Sequence, residues 1–263
     1  MEVEEAGGGV ENAGKDEVEA EYHSHDFEWE DLRAEVESDP AFSYHLSPFP
    51  GPAASTTSPP QPSSEAWRNF HRRHASGKFF KERRYLLKEF PELPNSKDCA
   101  KILEVGCGNG STAVSILRCH EMRKERPDFL RENQCCVGGM DFITMIFTLS
   151  AIPFAIMPST IEQCVCVLKP GGLLLFRDYG LYDMTMLRFL PDQRVGFREY
   201  MRSDGTLSYF FTLDTVRELF HAAGLIELEL EYCCVRSVNR KKNGKKMQRV
   251  WVHGKFLKPP SWR

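Results

Sequence analysis

The pattern of apolar positions divides this chain into a first part without periodicity and a second part with strand-like and helical segments. Residues 1–40 are acidic, and residues 41–64 carry no charge but many Pro and Ser, so neither stretch has a periodic apolar face. Such segments bury too little apolar surface to offset the entropy lost on ordering. We therefore expect residues 1–64 to be mostly disordered, with His25–Trp29 as a candidate docking element.

Aromatic and basic residues recur at helical spacing from Trp67 to Phe90, which predicts one or two amphipathic helices within residues 65–94. Rings that stack on bases and cations that meet phosphates suit RNA. A helix whose aromatic residues simply join the core is the alternative, and it is favoured for Phe79, Phe80 and Phe90. The candidate RNA-contacting residues of this segment are Arg72, Arg73, Lys81, Arg83 and Arg84.

A short apolar strand from Lys101 to Val105 runs into a glycine-rich turn, and a helical pattern follows over Ser111 to Leu117. Glycines permit a sharp turn and a close approach to a ligand, and a helix N-terminus offers free N–H groups. Nicotinamide and flavin enzymes use related turns, and such a turn can also merely end a core strand. Glu104, two residues before the first glycine, is typical of S-adenosylmethionine-dependent methyltransferases. The candidate cofactor-binding residues are Glu104, Gly106, Gly108 and Gly110.

Further strands and helices alternate downstream. We predict a buried parallel strand over Asp141–Ser150, a helix over Met157–Leu168 broken by Lys169–Gly172, and a strand over Leu173–Phe176 that leads into Arg177-Asp178-Tyr179-Gly180. A helix over Leu213–Ala223 and an antiparallel pair over Ile226–Cys234 and Arg249–Phe256 follow. Ligands of open α/β sheets bind at the carboxyl ends of the strands. Asp141 and Ile146 are added to the candidate cofactor contacts.

Several of these segments together resemble the eukaryotic methyltransferase-like family that makes 3-methylcytidine in the tRNA anticodon loop. The matching segments are Trp67–Phe70, Phe79–Arg83, Phe90–Leu93, Val167–Phe189, Tyr200–Thr206, Tyr209–Phe211 and Val250–Val252. The likeness covers about residues 65–118 and 137–258. It implies an α/β, Rossmann-like class I methyltransferase domain over residues 95–258 with a tail at 259–263. It also implies S-adenosylmethionine as cofactor and tRNA as substrate.

The chain is too short for the complete sheet of such a domain. Gly110 and Asp141 are 31 positions apart, and the helix after the glycine turn uses roughly the first dozen of them. A single βαβ unit needs roughly 30 residues, so strands two and three with their helices do not fit. We expect an incomplete sheet lacking those strands, with a gap near residues 119–137, as an alternative transcript or an exon-skipping gene model would produce. The acid that normally binds the ribose and the loop that flanks the adenine would then be missing.

The charge distribution bears on the substrate. Residues 1–64 hold 15 of the 37 acids and two of the 34 bases, so residues 65–263 carry about ten more bases than acids. This excess favours a polyanionic partner, although a solvated basic surface is an equal alternative. Methylation of cytosine N3 needs placement of its lone pair more than a strong base, and Asp178 and Tyr179 are the candidate base pocket. Arg177, Arg188 and Arg198 are candidate phosphate contacts, with structural salt bridges as the alternative.

Three functions therefore remain open at this point. The first is methylation of tRNA cytidine, the second is a catalytically impaired isoform that binds RNA or a protein, and the third is methylation of a small molecule or protein. An aminoacyl-tRNA synthetase or another protein is a candidate partner. No apolar run approaches the roughly 18 residues that span a bilayer, and the acidic start is unlike a signal peptide. Nine cysteines without secretory targeting indicate the cytosol or nucleus, and the absence of C-x-x-C spacing argues against zinc.

Overall fold

The computed structural model describes residues 25–49, 64–75, 83–96, 100–108, 112, 116, 139–239 and 245–260. The helices of this part are α1 (Trp29–Ser38), α2 (Ser43–Leu46), α3 (Ser64–Arg73), α4 (Leu86–Glu89), α5 (Met157–Val167) and α6 (Leu213–Ala222). The strands are β1 (Ile102–Val105), β2 (Met140–Ile146), β3 (Leu168–Tyr179), β4 (Arg194–Gly196), β5 (Glu199–Met201), β6 (Leu207–Tyr209), β7 (Ile226–Asn239) and β8 (Lys245–Leu257). None of these helices is long and apolar enough to cross a bilayer.

The main sheet has the strand order β1-β2-β3-β8-β7. Strands β1, β2 and β3 are parallel, and β8 and β7 are antiparallel to their neighbours. Because the parallel strands run in one direction, their carboxyl ends at Val105, Ile146 and Tyr179 meet at one edge. We call this edge the carboxyl edge of the sheet, and it is where an open α/β sheet binds its ligands.

Helices α5 and α6 cover one face of the main sheet. Ile161 of α5 and Phe220 of α6 join Met145 and Phe176 of the strands in one fully buried core. The Phe220 ring also stacks on Phe256 of β8 with the ring centroids 4.3 Å apart. The helices predicted over Met157–Leu168 and Leu213–Ala223 and the predicted terminal antiparallel pair are confirmed.

Strand β1 is much less buried than its neighbour. The β2 residues Ile143 and Met145 are completely buried, whereas Leu103 of β1 is 37% exposed. Among the described residues, β1 is hydrogen-bonded to β2 alone. The stretch 119–137, on which the predicted gap falls, lies outside those residues. Thr112 and Ile116, within the helix predicted after the glycine turn, have helical backbone.

Two predicted boundaries are wrong. The strand predicted over residues 141–150 ends at Ile146, since Phe147 takes a left-handed φ of 52°. The Lys169–Gly172 sequence does follow the end of α5, but it lies inside β3 and is held to the sheet: Gly171 N–H donates to the Lys258 carbonyl, and Lys258 N–H donates to the Gly172 carbonyl. The proline and glycines therefore lie in an irregular first part of the strand and do not form a loop.

The prediction that residues 1–64 are disordered is wrong for residues 25–49, which we call the N-terminal strap. Its helix α1 buries Leu32 and Val36 against a second core that includes Leu181, Tyr182 and Phe210. Two apolar positions four residues apart are enough to dock a short acidic helix when they pack against a complementary apolar surface. The remainder of residues 1–64, apart from Ser64, lies outside the described part.

The candidate docking element His25–Trp29 is confirmed as the start of the strap. The Trp29 indole N–H donates to the Leu181 carbonyl at 3.1 Å, and its ring stacks on Tyr232 at 4.8 Å. Asp26 N–H donates to the Cys234 carbonyl on β7, and the Arg236 N–H donates to the Asp26 carboxylate. These bonds fix the direction in which the strap enters the domain.

The far end of the strap packs on a small antiparallel sheet formed by β4, β5 and β6. The His45 ring bonds the Tyr200 hydroxyl at 2.7 Å, and the Tyr44 hydroxyl donates to the Phe189 carbonyl at 2.5 Å. The Arg194 guanidinium donates to the backbone carbonyls of Tyr44 and Ser47. The strap therefore joins the main sheet to the small sheet.

Substitution of Leu32→Ala should lower the free energy of unfolding by about 2–5 kcal/mol, because it leaves a cavity in the second core. Urea denaturation of the full chain measures this change. Glu35→Ala on the exposed side of α1 is the matched control and should change stability by no more than about 0.5 kcal/mol. Equal stability of the two variants would mean that the strap does not dock in solution.

Candidate active site

The glycine turn after β1 lies at the carboxyl edge of the sheet. Gly106 and Gly108 have φ angles of 69° and 54°, in the left-handed region that glycine adopts without strain. A Cβ on Gly106 would lie 2.6 Å from Cγ2 of Thr148, so no larger residue fits there. The Thr148 hydroxyl donates to the Val105 carbonyl at 2.9 Å and ties the turn to the segment after β2. Gly110 lies outside the described residues.

Glu104 points into the same region and faces an arginine. Its side chain is 7% exposed, and its carboxylate lies 3.8 Å from Nη1 of Arg83. Arg83 also donates to the Thr112 hydroxyl at 3.3 Å, and its guanidinium carbon lies 5.8 Å from the centre of the Phe147 ring. This position favours a role for Arg83 at the glycine turn over the predicted RNA contact.

The prediction that Asp141 contacts the cofactor is wrong. Asp141 is the second residue of β2 and therefore lies at the amino end of the sheet, away from the glycine turn. Its carboxylate accepts from Nζ of Lys169 at 2.8 Å and from the Lys101 N–H at 2.8 Å. Burial alone would raise the pKa of Asp141, but these two bonds lower it below its usual value.

Ile146 does lie at the carboxyl edge, at the last position of β2. Its side chain, however, is only 2% exposed and packs in a third core with Leu86, Phe90 and Leu175. The backbone of Ile146, more than its side chain, faces the turn, since its carbonyl accepts from the Thr148 hydroxyl at 3.2 Å.

Asp178 and Tyr179 occupy the end of β3, but their environments differ. Asp178 is completely buried, and its carboxylate accepts from the Ser150 and Tyr179 N–H groups at 2.9 and 2.8 Å. Burial raises the pKa of Asp178 to about 6, although bonds from Ser150, Tyr179 and Leu149 oppose this rise. Asp178 thus holds the turn after β2 in place, and the half-buried Tyr179 is the member of the pair that borders the edge.

Phe147 is a site residue that the sequence reasoning missed. Its ring lies 5.0 Å from Tyr179 and 6.3 Å from Trp251, and it is one of three residues other than glycine with a positive φ among those described. Bulky residues rarely adopt this conformation, and when they do they often lie at functional sites. Within the sequence, Phe147 cannot be distinguished from the apolar residues that precede it in the strand.

Arg177 is fully buried, so the prediction that it contacts RNA phosphate is wrong. Its guanidinium pairs with the Glu89 carboxylate at 2.5 Å and lies between the rings of Tyr85 and Trp251, 5.0 and 4.5 Å from their centres. Burial opposes the charged form of Arg177, but the Glu89 charge keeps its pKa above the usual value. The pair anchors α4 to β3.

Further charges extend this buried pair. The His253 ring contacts Glu89 at 2.9 Å and Glu229 at 3.1 Å, and Lys255 pairs with Glu92 at 2.9 Å. Burial alone would lower the pKa of His253, but hydrogen bonds and charges from Glu89 and Glu229 outweigh it and raise that pKa. We call these residues, with Arg177, the α4 charge cluster.

The remaining predicted RNA contacts are spread over the surface. Arg72, Arg73, Arg84 and Arg188 are exposed, and Arg198 is half-buried with its Nη1 3.2 Å from the Thr212 hydroxyl. Helix α3 passes the glycine turn, since a Cβ on Gly108 would lie 3.9 Å from the His71 ring. Lys81 lies outside the described residues.

Comparisons with known proteins place this geometry among methyltransferases. A family model described as a methyltransferase domain matches residues 71–229. The chain is 37% identical to the tRNA N(3)-methylcytidine methyltransferase Mettl2 of Drosophila melanogaster, with 73% of this chain and 70% of that protein covered. It is 35% identical to the human tRNA N(3)-cytidine methyltransferase METTL6, with coverages of 76% and 82%.

Two solved structures show the fold. One is an S-adenosylmethionine-dependent methyltransferase from Anabaena variabilis, with a TM-score of 0.51, 12% identity and coverage of 78% of this chain and 99% of that chain. The other is the Burkholderia thailandensis 1,6-didemethyltoxoflavin-N1-methyltransferase with bound S-adenosylhomocysteine, with a TM-score of 0.50, 14% identity and coverages of 81% and 94%. The predicted class I, Rossmann-like fold is confirmed.

The aligned lengths also bear on the predicted internal loss. The alignment with the fly protein has 232 positions but covers 73% of the 263 residues of this chain, which is about 192 residues. About 40 aligned positions of that relative therefore have no counterpart here. This deficit is close to the size of one βαβ unit, roughly 30 residues.

The α4 charge cluster should make stability depend on pH. Because the pKa of His253 is raised on folding, its contribution is complete below about pH 6.5 and is lost as pH rises through the folded pKa. The free energy of unfolding, measured in urea between pH 6 and 9, should fall with pH more steeply in the parent than in His253→Gln. His221→Gln, an exposed histidine in the last turn of α6, should keep the slope of the parent. Parallel curves for the parent and His253→Gln would contradict this assignment.

Proposed function

This chain belongs to the family of tRNA N(3)-methylcytidine methyltransferases, and on that premise we propose that it transfers a methyl group from S-adenosylmethionine to N3 of a cytidine in the tRNA anticodon loop. The observation that carries the proposal is the grouping of Glu104, Arg83 and the glycine turn beside Phe147 and Tyr179. A ligand on the turn would face the two aromatic rings at the carboxyl edge.

The described residues fit the methionine end of the cofactor. That end carries an ammonium and a carboxylate, and the site offers a carboxylate, Glu104, and a guanidinium, Arg83, in loose contact at 3.8 Å. We assign the ammonium to Glu104 and the carboxylate to Arg83, since charge-assisted bonds to such groups are the strong ones. Gly106 and Gly108 let the backbone approach the ligand closely. S-adenosylmethionine supplies an electrophilic methyl group when it is bound.

The residues at the edge would orient the base. Cytosine N3 has a lone pair at neutral pH, so the protein must mainly hold the ring in line with the methyl group. Tyr179 and Phe147 offer ring surfaces for that task. Asp178 is buried beneath them and acts as a positioning residue, because it holds the turn at Ser150 that follows Phe147.

Surface charge supports a tRNA substrate. The excess of about ten bases over residues 65–263 is balanced in the whole chain by the acidic first 64 residues. Four of the predicted RNA contacts are exposed: Arg72, Arg73, Arg84 and Arg188. Each phosphate that such a cation neutralises adds affinity that falls with salt.

A second candidate function is a catalytically impaired isoform that binds RNA or a protein. The partial exposure of Leu103 and the deficit of about 40 aligned positions favour it. A missing ribose acid and adenine wall would each remove charge-assisted or polar contacts worth about 1.5–3 kcal/mol. Both candidate functions are consistent with the family and with the basic surface. They differ in the affinity that they predict for S-adenosylmethionine.

Arg83→Gln should weaken S-adenosylhomocysteine binding by about 10- to 100-fold, since one charge-assisted contact to the ligand carboxylate is lost. Glu104→Gln should weaken it by a similar factor. Isothermal titration of the full chain measures both effects. Arg84→Gln, which removes the same charge from the exposed neighbour, should leave the dissociation constant unchanged. If the dissociation constant of Arg83→Gln equals that of the parent chain, Arg83 does not bind the cofactor, and the predicted RNA contact is favoured instead.

Turnover should be very low in the chain as it stands and should rise when the relatives' strand-two to strand-three segment is inserted between about Cys119 and Val137. Mass spectrometry of digested tRNA measures 3-methylcytidine, and titration of S-adenosylmethionine should show a gain of at least about one order of magnitude in affinity. Insertion of a Gly/Ser segment of equal length is the control. Low micromolar S-adenosylmethionine binding by the uninserted chain would show that the glycine turn suffices.

A further inference from the structure

Two aromatic side chains are unusually exposed near the carboxyl edge, on the small sheet and the turn beside it, and the half-buried Arg198 lies next to one of them. Phe197 is 50% exposed and Phe154 is 42% exposed. Phe197 and Arg198 form the two-residue tip between β4 and β5, where Gly196 pairs with Glu199. Most large apolar side chains of this domain are buried, so this patch needs a physical reason.

The backbone of Arg198 is held in a strained conformation. Its φ is 60°, at a turn position where glycine or asparagine is the usual choice. The conformation is enforced by the Phe210 N–H, which donates to the Arg198 carbonyl at 3.1 Å, and by the bond from Nη1 to the Thr212 hydroxyl. Strain that the surroundings maintain is typical of functional positions.

The strained turn brings two neighbouring side chains together. Successive residues of an extended strand point to opposite sides, yet the Arg198 guanidinium carbon lies 4.7 Å from the centre of the Phe197 ring. A guanidinium over a ring forms a flat, cationic surface. Such a surface suits a nucleobase with its adjoining phosphate better than it suits an apolar protein partner.

The buried rings of Tyr209 and Phe210 connect the patch to the candidate active site. The Phe154 N–H donates to the Glu199 carboxylate at 3.3 Å, and the Phe154 ring stacks on Tyr209 at 5.1 Å. On the other side, the Phe210 ring lies 5.7 Å from Tyr179, at the end of β3. The hairpin and the end of β3 therefore belong to one packed unit, on which neighbouring nucleotides of one RNA segment can lie.

We propose that Phe197 and Arg198, bordered by Phe154, form a stacking platform for an unpaired base next to the target cytidine. This inference rests on the proposed tRNA substrate and adds a position at which the protein holds the loop open. Base–aromatic stacking tolerates any sequence, so the platform contributes affinity and placement without selecting a base.

The test uses the full chain and an RNA stem-loop that carries 2-aminopurine beside the loop cytidine. Phe197→Ala should lower affinity about 5- to 100-fold, abolish the change in 2-aminopurine fluorescence on binding and leave the salt dependence unchanged. Arg198→Gln should lower both affinity and the salt slope, the latter by about one. Leu190→Ala, which truncates an apolar side chain that is 60% exposed on a neighbouring loop, should change neither.

Two results would overturn the platform. Parent-like affinity and fluorescence in Phe197→Ala would show that the patch does not stack on RNA and would point to a protein surface. Absence of RNA binding by the parent chain itself would remove the proposed substrate together with the platform. A thermal melt of each variant excludes unfolding as the cause, since a half-exposed ring should contribute little to stability.

Discussion

The ion pair between Arg177 and Glu89 is the interaction on which the site depends most. Both side chains are almost completely removed from water, and burial of a single unpaired charge would cost several kcal/mol. Arg177 immediately precedes Asp178 and Tyr179 at the end of β3. Glu89 lies six residues after Arg83 in the segment that crosses the glycine turn. The pair therefore sets the position of Arg83 relative to Glu104, and it joins the segment around α4 to the sheet.

The rest of the site is built outward from that anchor by short, specific contacts. Thr148 fills the space in front of Gly106 and bonds Val105, while Asp178 holds the following turn from below. Phe147 is forced into a left-handed backbone between them. At this edge, charged side chains of opposite sign and two aromatic rings lie side by side. The proposed transfer of a methyl group to cytosine N3 needs this combination and little acid–base catalysis.

The sequence predicted the order of strands and helices well, because apolar periodicity and the glycine turn are local signals. It predicted individual charged residues poorly. Arg177 and Asp141 both follow or begin apolar runs, and periodicity does not tell whether a charge at such a position meets solvent, a ligand or another buried charge. Arg177 is buried because it pairs with Glu89, which lies 88 positions away in the chain, and no local sequence pattern identifies that contact. Helix α1 of the strap was missed for the same reason, since Leu32 and Val36 become a docking face only against Leu181 and Phe210.

The contact of Asp26 with β7 has a consequence for solubility. Strand β7 is the outermost strand beside β8, and an outer strand offers unpaired N–H and C=O groups to which another chain can add. Asp26 occupies such groups on Cys234 and Arg236 with its own backbone N–H and its carboxylate. These two backbone groups of β7 are thus satisfied within the molecule, and the negative charge of Asp26 lies beside them. The N-terminal strap in this way guards a sheet edge against intermolecular strand pairing and the aggregation that follows from it.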